Sequence, residues 1–415
     1  MQKNLFKQYL KLSRKWFDFQ KNRKFQGQLN LSIVMGNESA DLDSNIGSMI
    51  YAYFKFCQAE KNYLNYLKEN SVYEQMDFEN LLNMYLPVIQ CDRQDINSRF
   101  ESLDLLETHQ IHVDDIIFKD DFNIQEVITA SKLDVILYDH NCTIYPTLKS
   151  RVVEITDHHQ DTTDQFYEKN QKIIKNIATV GSATTLLGEY FIQGNEDILD
   201  PIIADSIMKT IIVDSYNFDK KLENIRWNNR DSTVLNYMTS YLQGIFPQQN
   251  FDKNEIFSKI EALKFDVKKN SNLGIPKLLT KDYKQFNYQN NTNVGYSVFM
   301  ISPEAVFETY STEKLEQEIE IFFKNKNLDL LILLFAYPTK EHFERKFISL
   351  SQKNRLDDLN QVKQHLCTSL KVTEVDYSKN FNNYKNYHHS FYDTTHTYTR
   401  KIIEPLISKI PFSKL

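Results

Sequence analysis

Four short segments of the chain bring acids and imidazoles together: Gly36-Asn37-Glu38-Ser39-Ala40-Asp41-Leu42-Asp43-Ser44, Asp139-His140-Asn141, Asp157-His158-His159, and Asp214-Ser215-Tyr216-Asn217-Phe218. Any one of them fits a turn former or a helix cap. Adjacent histidines prove equally little, as the chain itself illustrates. His388-His389 lies in an Asn/Tyr-rich stretch with no apolar run before it, and reads as a solvated loop. The four segments differ in that each follows an apolar run, at an equivalent strand or helix end. A set of Asp oxygens with a single imidazole suits hard divalent ions such as Mg²⁺ or Mn²⁺. Two such ions, about 3.5–4 Å apart, would activate a bridging water and neutralise a phosphate. Like charges that close need a shared carboxylate, and Asp139, alone at its strand end, is the natural candidate.

The elements that must position these groups follow from the apolar pattern. Residues 31–35 (LSIVM) read as a strand ending at Gly36. Ser44 then reads as an N-cap, with Ile46, Met49, Ile50, Tyr53 and Phe54 at helical spacing. Residues 133–138 (LDVILY) and 152–155 are further strands, and residues 198–213 form a buried helix. Residues 87–121 are irregular, with one strand (PVIQC) and a helix inside a long crossover. Strands alternating with helices imply a mostly parallel sheet, whose carboxyl ends gather the site. A second block begins near Leu278. Residues 294–301, 328–337 and 343–350 read as three strands, with an amphipathic helix over 312–324 between the first two. The Asn/Tyr-rich stretches 288–293 and 379–389 read as loops or insertions. The expected fold class is α/β: an N-terminal domain (1–225) with a mostly parallel, five-stranded-type sheet flanked by helices, a helical linker (226–270), and a smaller α/β domain (271–415) with a mixed sheet.

Composition narrows the function classes. The chain has 415 residues, 49 Lys+Arg against 55 Asp+Glu, and a net charge of −6. This mild acidity disfavours a general nucleic-acid or membrane-surface binder. The nine glycines fit neither GxGxxG nor GxxxxGK[ST], which excludes the dinucleotide and P-loop readings. Cys57, Cys91, Cys142 and Cys367 have no CxxC spacing and suggest a reducing compartment. The strongest apolar run, 328–337, is too short to span a membrane. The first acid is Asp18, so the basic N-terminus admits two readings. It is either a first helix packing Leu5, Leu10, Leu12 and Phe17, in a cytoplasmic protein, or an organelle presequence.

The set GNESADLDS, DHN, DHH and DSYNF resembles the DHH phosphoesterase superfamily. The GGGH-type motif of one branch is missing. Asp282-Tyr283-Lys284-Gln285-Phe286 and Thr399-Arg400-Lys401, followed by IIEPL, look like the two signatures of the DHHA2 domain that marks the other. Threonine stands where that family usually has serine. The resemblance implies that the 1–225 domain is the DHH domain and 271–415 a substrate-clamping DHHA2 domain, closing over the substrate. It implies Asp41 and Asp139 as ligands of one metal, and Asp43, Asp139, His158 and Asp214 as ligands of the other, with Asp139 bridging. Asn37 stands where family II pyrophosphatases have a histidine, and is implied as a harder ligand favouring Mg²⁺. GNE at this point is similar to the cytosolic exopolyphosphatases and Prune-type proteins.

The same resemblance implies that His159 faces the substrate and protonates or stabilises the leaving phosphate oxygen. Lys284, Arg400 and Lys401 would clamp terminal phosphates, with Arg345 as a further candidate. Gly181-Ser182-Ala183-Thr184 resembles the fourth family motif; its N–H groups would either support the active-site edge or simply open a helix. The implied activity is a two-metal exopolyphosphatase releasing orthophosphate from inorganic polyphosphate, as a monomer without nucleic-acid or membrane partners. Its rivals are a Prune-type short-chain polyphosphatase or cyclic nucleotide phosphodiesterase, a pyrophosphatase, and a non-catalytic scaffold.

Overall fold

The computed structural model describes residues 4–25, 30–61, 78, 81, 83–130, 132–339, 343–370, 372–375, 387–394 and 398–412. The chain divides into two units, Met1–Glu261 and Ala262–Leu415. In the first, six strands form one parallel sheet: β1 (Asn30–Met35), β2 (Asn83–Ile89), β3 (Ile117–Phe118), β4 (Lys132–Tyr138), β5 (Val152–Asp157) and β6 (Ile174–Ile177). Their order is β3-β2-β1-β4-β5-β6. The chain therefore winds outward from β1 in one direction and then in the other. The crevice at the carboxyl ends of β1 and β4 is the switch point where such sheets place their sites. The sheet has one strand more than expected. β3 has only two residues, and β6 (IKNI) is a half-exposed edge, so neither shows a strand-length apolar pattern.

The strands of this sheet end where their apolar runs end. The helix Leu42–Ala59 follows β1, and its cap is Asp41, not Ser44: the Asp41 carboxylate accepts from the Ser44 N–H at 3.1 Å. The buried helix of the second half runs Pro201–Asp214, started by Asp200 as cap and Pro201 at its first position. The N-terminal helix Leu5–Asn22 buries Leu5, Leu10, Leu12 and Phe17 in the first core, as expected of a packed helix. Burial of each such side chain is worth roughly 1.5–3 kcal/mol. Trp16 joins them, its indole N–H donating to the Leu81 carbonyl at 3.1 Å. Most of the 226–270 segment packs with this unit. The helix Asn229–Ile245 buries Val234, Leu235, Met238 and Leu242 in the first core, and the boundary between units falls inside the helix Lys253–Lys264.

The second unit holds a mixed sheet of β7 (Tyr283–Tyr288), β8 (Thr292–Phe299), β9 (Leu330–Pro338), β10 (Phe343–Gln352), β11 (Thr373–Glu374) and β12 (Tyr387–Thr394), in the order β11-β12-β10-β9-β8-β7. Only β8 and β9 run parallel, joined through the helices Pro303–Thr309 and Thr312–Lys326. Both faces of β9 are covered. Leu331, Leu333 and Phe335 meet Leu315, Ile319 and Phe323 on one side, while Leu330, Ile332 and Leu334 meet Leu359, Val362 and Ile403 on the other. A strand buried on both faces has no polar alternation, which is why it reads as one apolar run.

Two loop expectations change. In 288–293 the turn is confined to Gln289–Asn291, where Asn290 and Asn291 take the left-handed conformation that asparagine tolerates. His388 and His389 lie not in a loop but in β12, opposite Ser351 and Leu350 of β10. Residues 379–386 of that stretch fall outside the described residues. Among the described residues no helix is long and apolar enough to cross a membrane, and none of the four cysteines forms a disulfide.

Candidate metal centre

The carboxyl ends of β1, β4 and β5 are adjacent, and their loops converge on Asp139. Two backbone positions make this possible. Ala40 (φ 48°) and Asp139 (φ 61°) both adopt the left-handed region, turning the chain sharply off its strand. The Asp139 N–H is held by the Thr156 carbonyl of β5 at 2.9 Å. Its buried carboxylate receives the Asn37 Nδ2 at 2.7 Å and the Ser44 hydroxyl at 2.6 Å, both on Oδ2. The other oxygen, Oδ1, faces His158 Nε2 at 3.3 Å and His159 Nδ1 at 3.6 Å. One ligand atom from each of these three side chains lies within 4.8 Å of the others.

Each histidine is oriented by a second partner. His158 donates its Nδ1–H to the Val180 carbonyl at 3.0 Å, which turns Nε2 toward Asp139. His159 Nδ1 bonds to Asp157 Oδ1 at 2.8 Å, and its backbone N–H reaches the same oxygen at 3.1 Å. Asn141 Nδ2 donates to the other Asp157 oxygen at 2.7 Å. Asp157 is fully buried, and burial alone would raise its pKa. The bonds and charge of His159, with the charge of His158, outweigh that and hold it well below the usual carboxylate range.

Asp43 meets the opposite fate. Its oxygens accept from the Ala183 N–H at 2.7 Å and the Thr184 N–H at 3.0 Å, with the Tyr138 hydroxyl at 3.4 Å. Residues 181–184 therefore do support the site edge rather than merely open the helix Ala183–Ile192. Tyr138 can reach Asp43 because residue 47 is glycine: a Cβ there would sit 2.2 Å from the phenol ring and hydroxyl. Burial pushes the Asp43 pKa well above normal, and the charges of Asp139, Asp214 and Asp41 add to this against a smaller opposing effect of His158. Asp214 ends its helix and is followed by three consecutive left-handed residues, Tyr216, Asn217 and Phe218. Conformations of this kind cost of order 1–3 kcal/mol each and persist only where the surroundings impose them. Here Lys253 donates to the Asn217 carbonyl at 2.7 Å, and the Arg226 guanidinium lies 5.1 Å from the Tyr216 ring centre.

The donor set fits a divalent cation. With Nδ1 of His158 donating to Val180, Nε2 faces an Asp139 carboxylate oxygen at 3.3 Å. An imidazole nitrogen and carboxylate oxygens set that close are donors that would suit a divalent cation. Asp139, Asp214, His158 and Asp41 all lie near enough to Asp43 for their charges to bear on it. Asn37 lies against Asp139: its Oδ1 accepts the Ser39 N–H at 2.8 Å while its Nδ2 donates to the Asp139 carboxylate at 2.7 Å. In the second unit, Arg400 Nη1 donates to Asp282 Oδ1 at 2.7 Å, and the charge of Lys284 also bears on that carboxylate. Arg345 lies on β10 with its guanidinium 5.1 Å from the Phe343 ring centre. Lys401 belongs to the helix Arg400–Ile407, and its side chain falls outside the described positions. Asp157, Ser44 and Tyr138 escaped the sequence reading as site residues, although Asp157 stands at the head of its motif.

Comparison with known proteins places this architecture. Over 91% of this chain and 98% of the other, the fold matches the crystal structure of a Methanococcus jannaschii putative family II inorganic pyrophosphatase, with a TM-score of 0.57 and 17% identity. Residues 259–410 match the DHHA2 domain family. Together these likenesses support a DHH-superfamily phosphoesterase with a DHHA2 domain. Among curated proteins, it is 26% identical over 309 residues to exopolyphosphatase PRUNE1 of Rattus norvegicus, covering 74% of this chain and 60% of that protein. It is 25% identical over 342 residues to a putative exopolyphosphatase of Schizosaccharomyces pombe, covering 79% and 78% respectively. The chain thus spans about 60% of the length of the PRUNE1 relatives.

Proposed function

We propose that the protein is a divalent-metal-dependent hydrolase of phosphoanhydride bonds, acting as an exopolyphosphatase that releases orthophosphate from the end of inorganic polyphosphate. The observation that carries this reading is the convergence of His158 Nε2 and Asp139 Oδ1 at 3.3 Å beside the buried carboxylate of Asp43. Asp41 and Asp139 would hold one ion, and Asp43, Asp139, His158 and Asp214 the other. Bound Mg²⁺ or Mn²⁺ would supply Lewis acidity toward an attacking water and neutralise phosphate charge. A centre of carboxylate oxygens with one imidazole, and an amide at position 37, favours Mg²⁺ over softer ions.

The chain's own residues do the rest. His159, oriented through Nδ1 by Asp157, is the proton donor to the leaving phosphate oxygen. Lys284, Arg400, Lys401 and Arg345 bind substrate phosphates, the guanidinium groups through paired N–H donors. The protein acts as a monomer in the cytoplasm, without nucleic-acid or membrane partners. Relatives named exopolyphosphatase support the substrate class. The test is phosphate release from pyrophosphate, tripolyphosphate, long polyphosphate and cyclic AMP, for the wild type and Asp139→Ala. Release from long chains that vanishes in the variant is expected. Hydrolysis of cyclic AMP or of short chains alone would favour the Prune-type reading, pyrophosphate alone a pyrophosphatase, and none of the four a scaffold.

A further inference from the structure

We propose that Asp231 is a positioning residue of the metal centre, acting through the turn of residues 180–185 that it anchors. The proposal rests on the metal-centre reading above and adds to it a residue from the 226–270 segment, outside every motif of the sequence. Asp231 is completely buried on the helix Asn229–Ile245, with no lysine, arginine or histidine at ion-pair distance among the described residues. A buried carboxylate is tolerable only if its lone pairs are filled. Here they are filled from two sides. The Asn228 N–H donates to Oδ2 at 2.8 Å, closing a capping box on the helix itself. The Gly181 N–H lies 2.9 and 3.0 Å from the two oxygens, and the Thr185 hydroxyl donates to Oδ1 at 2.5 Å.

Those last two donors bracket the turn, and the turn's remaining polar groups point at the site. The Val180 carbonyl takes the His158 Nδ1–H at 3.0 Å. The Ala183 and Thr184 N–H groups grip the two oxygens of Asp43 at 2.7 and 3.0 Å. One short loop thereby sets the ring of His158 and the carboxylate of Asp43, two residues assigned to the same ion. The loop lies tightly against its anchor. A Cβ at Gly181 would come 2.8 Å from the Arg226 carbonyl and 3.1 Å from Asp231 Oδ1. Three donors converge on Asp231, so the position calls for a group that only accepts. An asparagine of the same size would turn its NH₂ against one of them.

The experiment titrates the metal-stripped chain with Mn²⁺ by calorimetry, for wild type, Asp231→Asn and Thr185→Val, and records melting of each without metal. Loss of a partner that orients a ligand typically weakens a metal site roughly 10- to 100-fold. Asp231→Asn is expected to lose affinity on that scale at one of the ion-binding steps. Thr185→Val, which removes one donor and keeps the volume, should lose less. Excess Mn²⁺ should restore kcat in both, with KM for polyphosphate unchanged. Wild-type Mn²⁺ affinity in both variants, with lowered melting alone, would overturn the proposal and leave Asp231 a support for its own helix. Asp139→Asn run alongside separates the two readings. If it too binds Mn²⁺ like wild type, the metal centre itself is wrong; if it alone loses binding, only the role of Asp231 falls.

Discussion

Asp43 in the first unit and Asp282 in the second are the same residue type in a short motif, and their surroundings treat them oppositely. Asp43 is held by neutral donors, two backbone N–H groups and a phenol, while burial and three other carboxylates push its pKa up. Asp282 is also pushed up by burial, but Arg400, Lys284 and Lys264 more than offset this and hold its carboxyl below the usual range. Around Asp43 the nearby charges are mostly acids, opposed by His158, so on the proposed reading a bound cation would relieve them. Asp282 is compensated already, and Arg400 is oriented by it through one nitrogen of its guanidinium. On the proposed reading the first arrangement would receive metal ions. The second is a pre-set cation whose remaining donors suit a phosphate.

The strongest way to break this contrast is to remove the shared acid. Asp139→Ala deletes the group that meets Asn37, Ser44 and both histidines. A loss of about 10³-fold or more in phosphate release is expected, the scale of several kcal/mol of transition-state stabilisation. A variant retaining most activity would remove Asp139 from the bridging role. Next comes the cationic side. Arg400→Met should raise KM for polyphosphate by about tenfold, near 1.4 kcal/mol, with a smaller change in kcat. If Asp282 serves only to hold Arg400, Asp282→Asn should add little to Arg400→Met in a double-mutant cycle of KM values. Full additivity would show that Asp282 acts independently.

The parts of this contrast that could be read in advance are those written locally. Apolar runs of four to six residues stop just before Gly36, Asp139 and Thr156-Asp157, so the strand ends and the acids beyond them were legible from 31–35, 133–138 and 152–155. Hydrogen-bond partners were not, because they lie far apart in sequence: Asp43 and Ala183 are 140 residues apart, and Asp231 and Gly181 are 50. The segment 226–270 reads as a linker because its helices expose a charged face, although Val234, Leu235, Met238 and Leu242 already recur at helical spacing. β12 is disguised by its Tyr, His, Ser and Asp content. Its strand state comes from pairing with β10, which no local pattern announces.

A smaller effect distinguishes the two carboxylates by pH. A carboxyl whose pKa is raised on folding binds extra protons in the native state. The Asp43 contribution to the metal-free fold is therefore best at acid pH, and declines as pH rises from about 4 through its raised value. Asp282 behaves in reverse: its contribution is present above about 4 and is lost as pH falls through its lowered value. On the proposed reading, protons and divalent ions would therefore compete for the first unit. Saturating Mg²⁺ at about 100 times its Kd should add about 2.7 kcal/mol, raising Tm on the order of 5–10 °C at pH 7.5. The gain should shrink at pH 5.5. An equal shift at both pH values would mean that the acids near Asp43 are not where the ion binds.

The smallest expected effect is the most specific. The Tyr138 hydroxyl donates to Asp43 at 3.4 Å, a long contact, and burial followed by the charges of Asp43 and Asp139 keeps the phenol protonated. Tyr138→Phe removes that donor and leaves the ring packed over Gly47. A net hydrogen bond is worth about 0.5–1.5 kcal/mol, and a long one belongs at the lower end. Mg²⁺ affinity should fall about two- to threefold, with Tm of the metal-free chain shifted by little. Gly47→Ala forces the same hydroxyl away by overpacking, at about 1–3 kcal/mol of stability, and should lower both quantities together. If Tyr138→Phe instead tightened Mg²⁺ binding, the phenol would be competing with the ion for Asp43 rather than steadying it. The neutral shell that sets Asp43 apart from Asp282 would then be an obstacle to the metal.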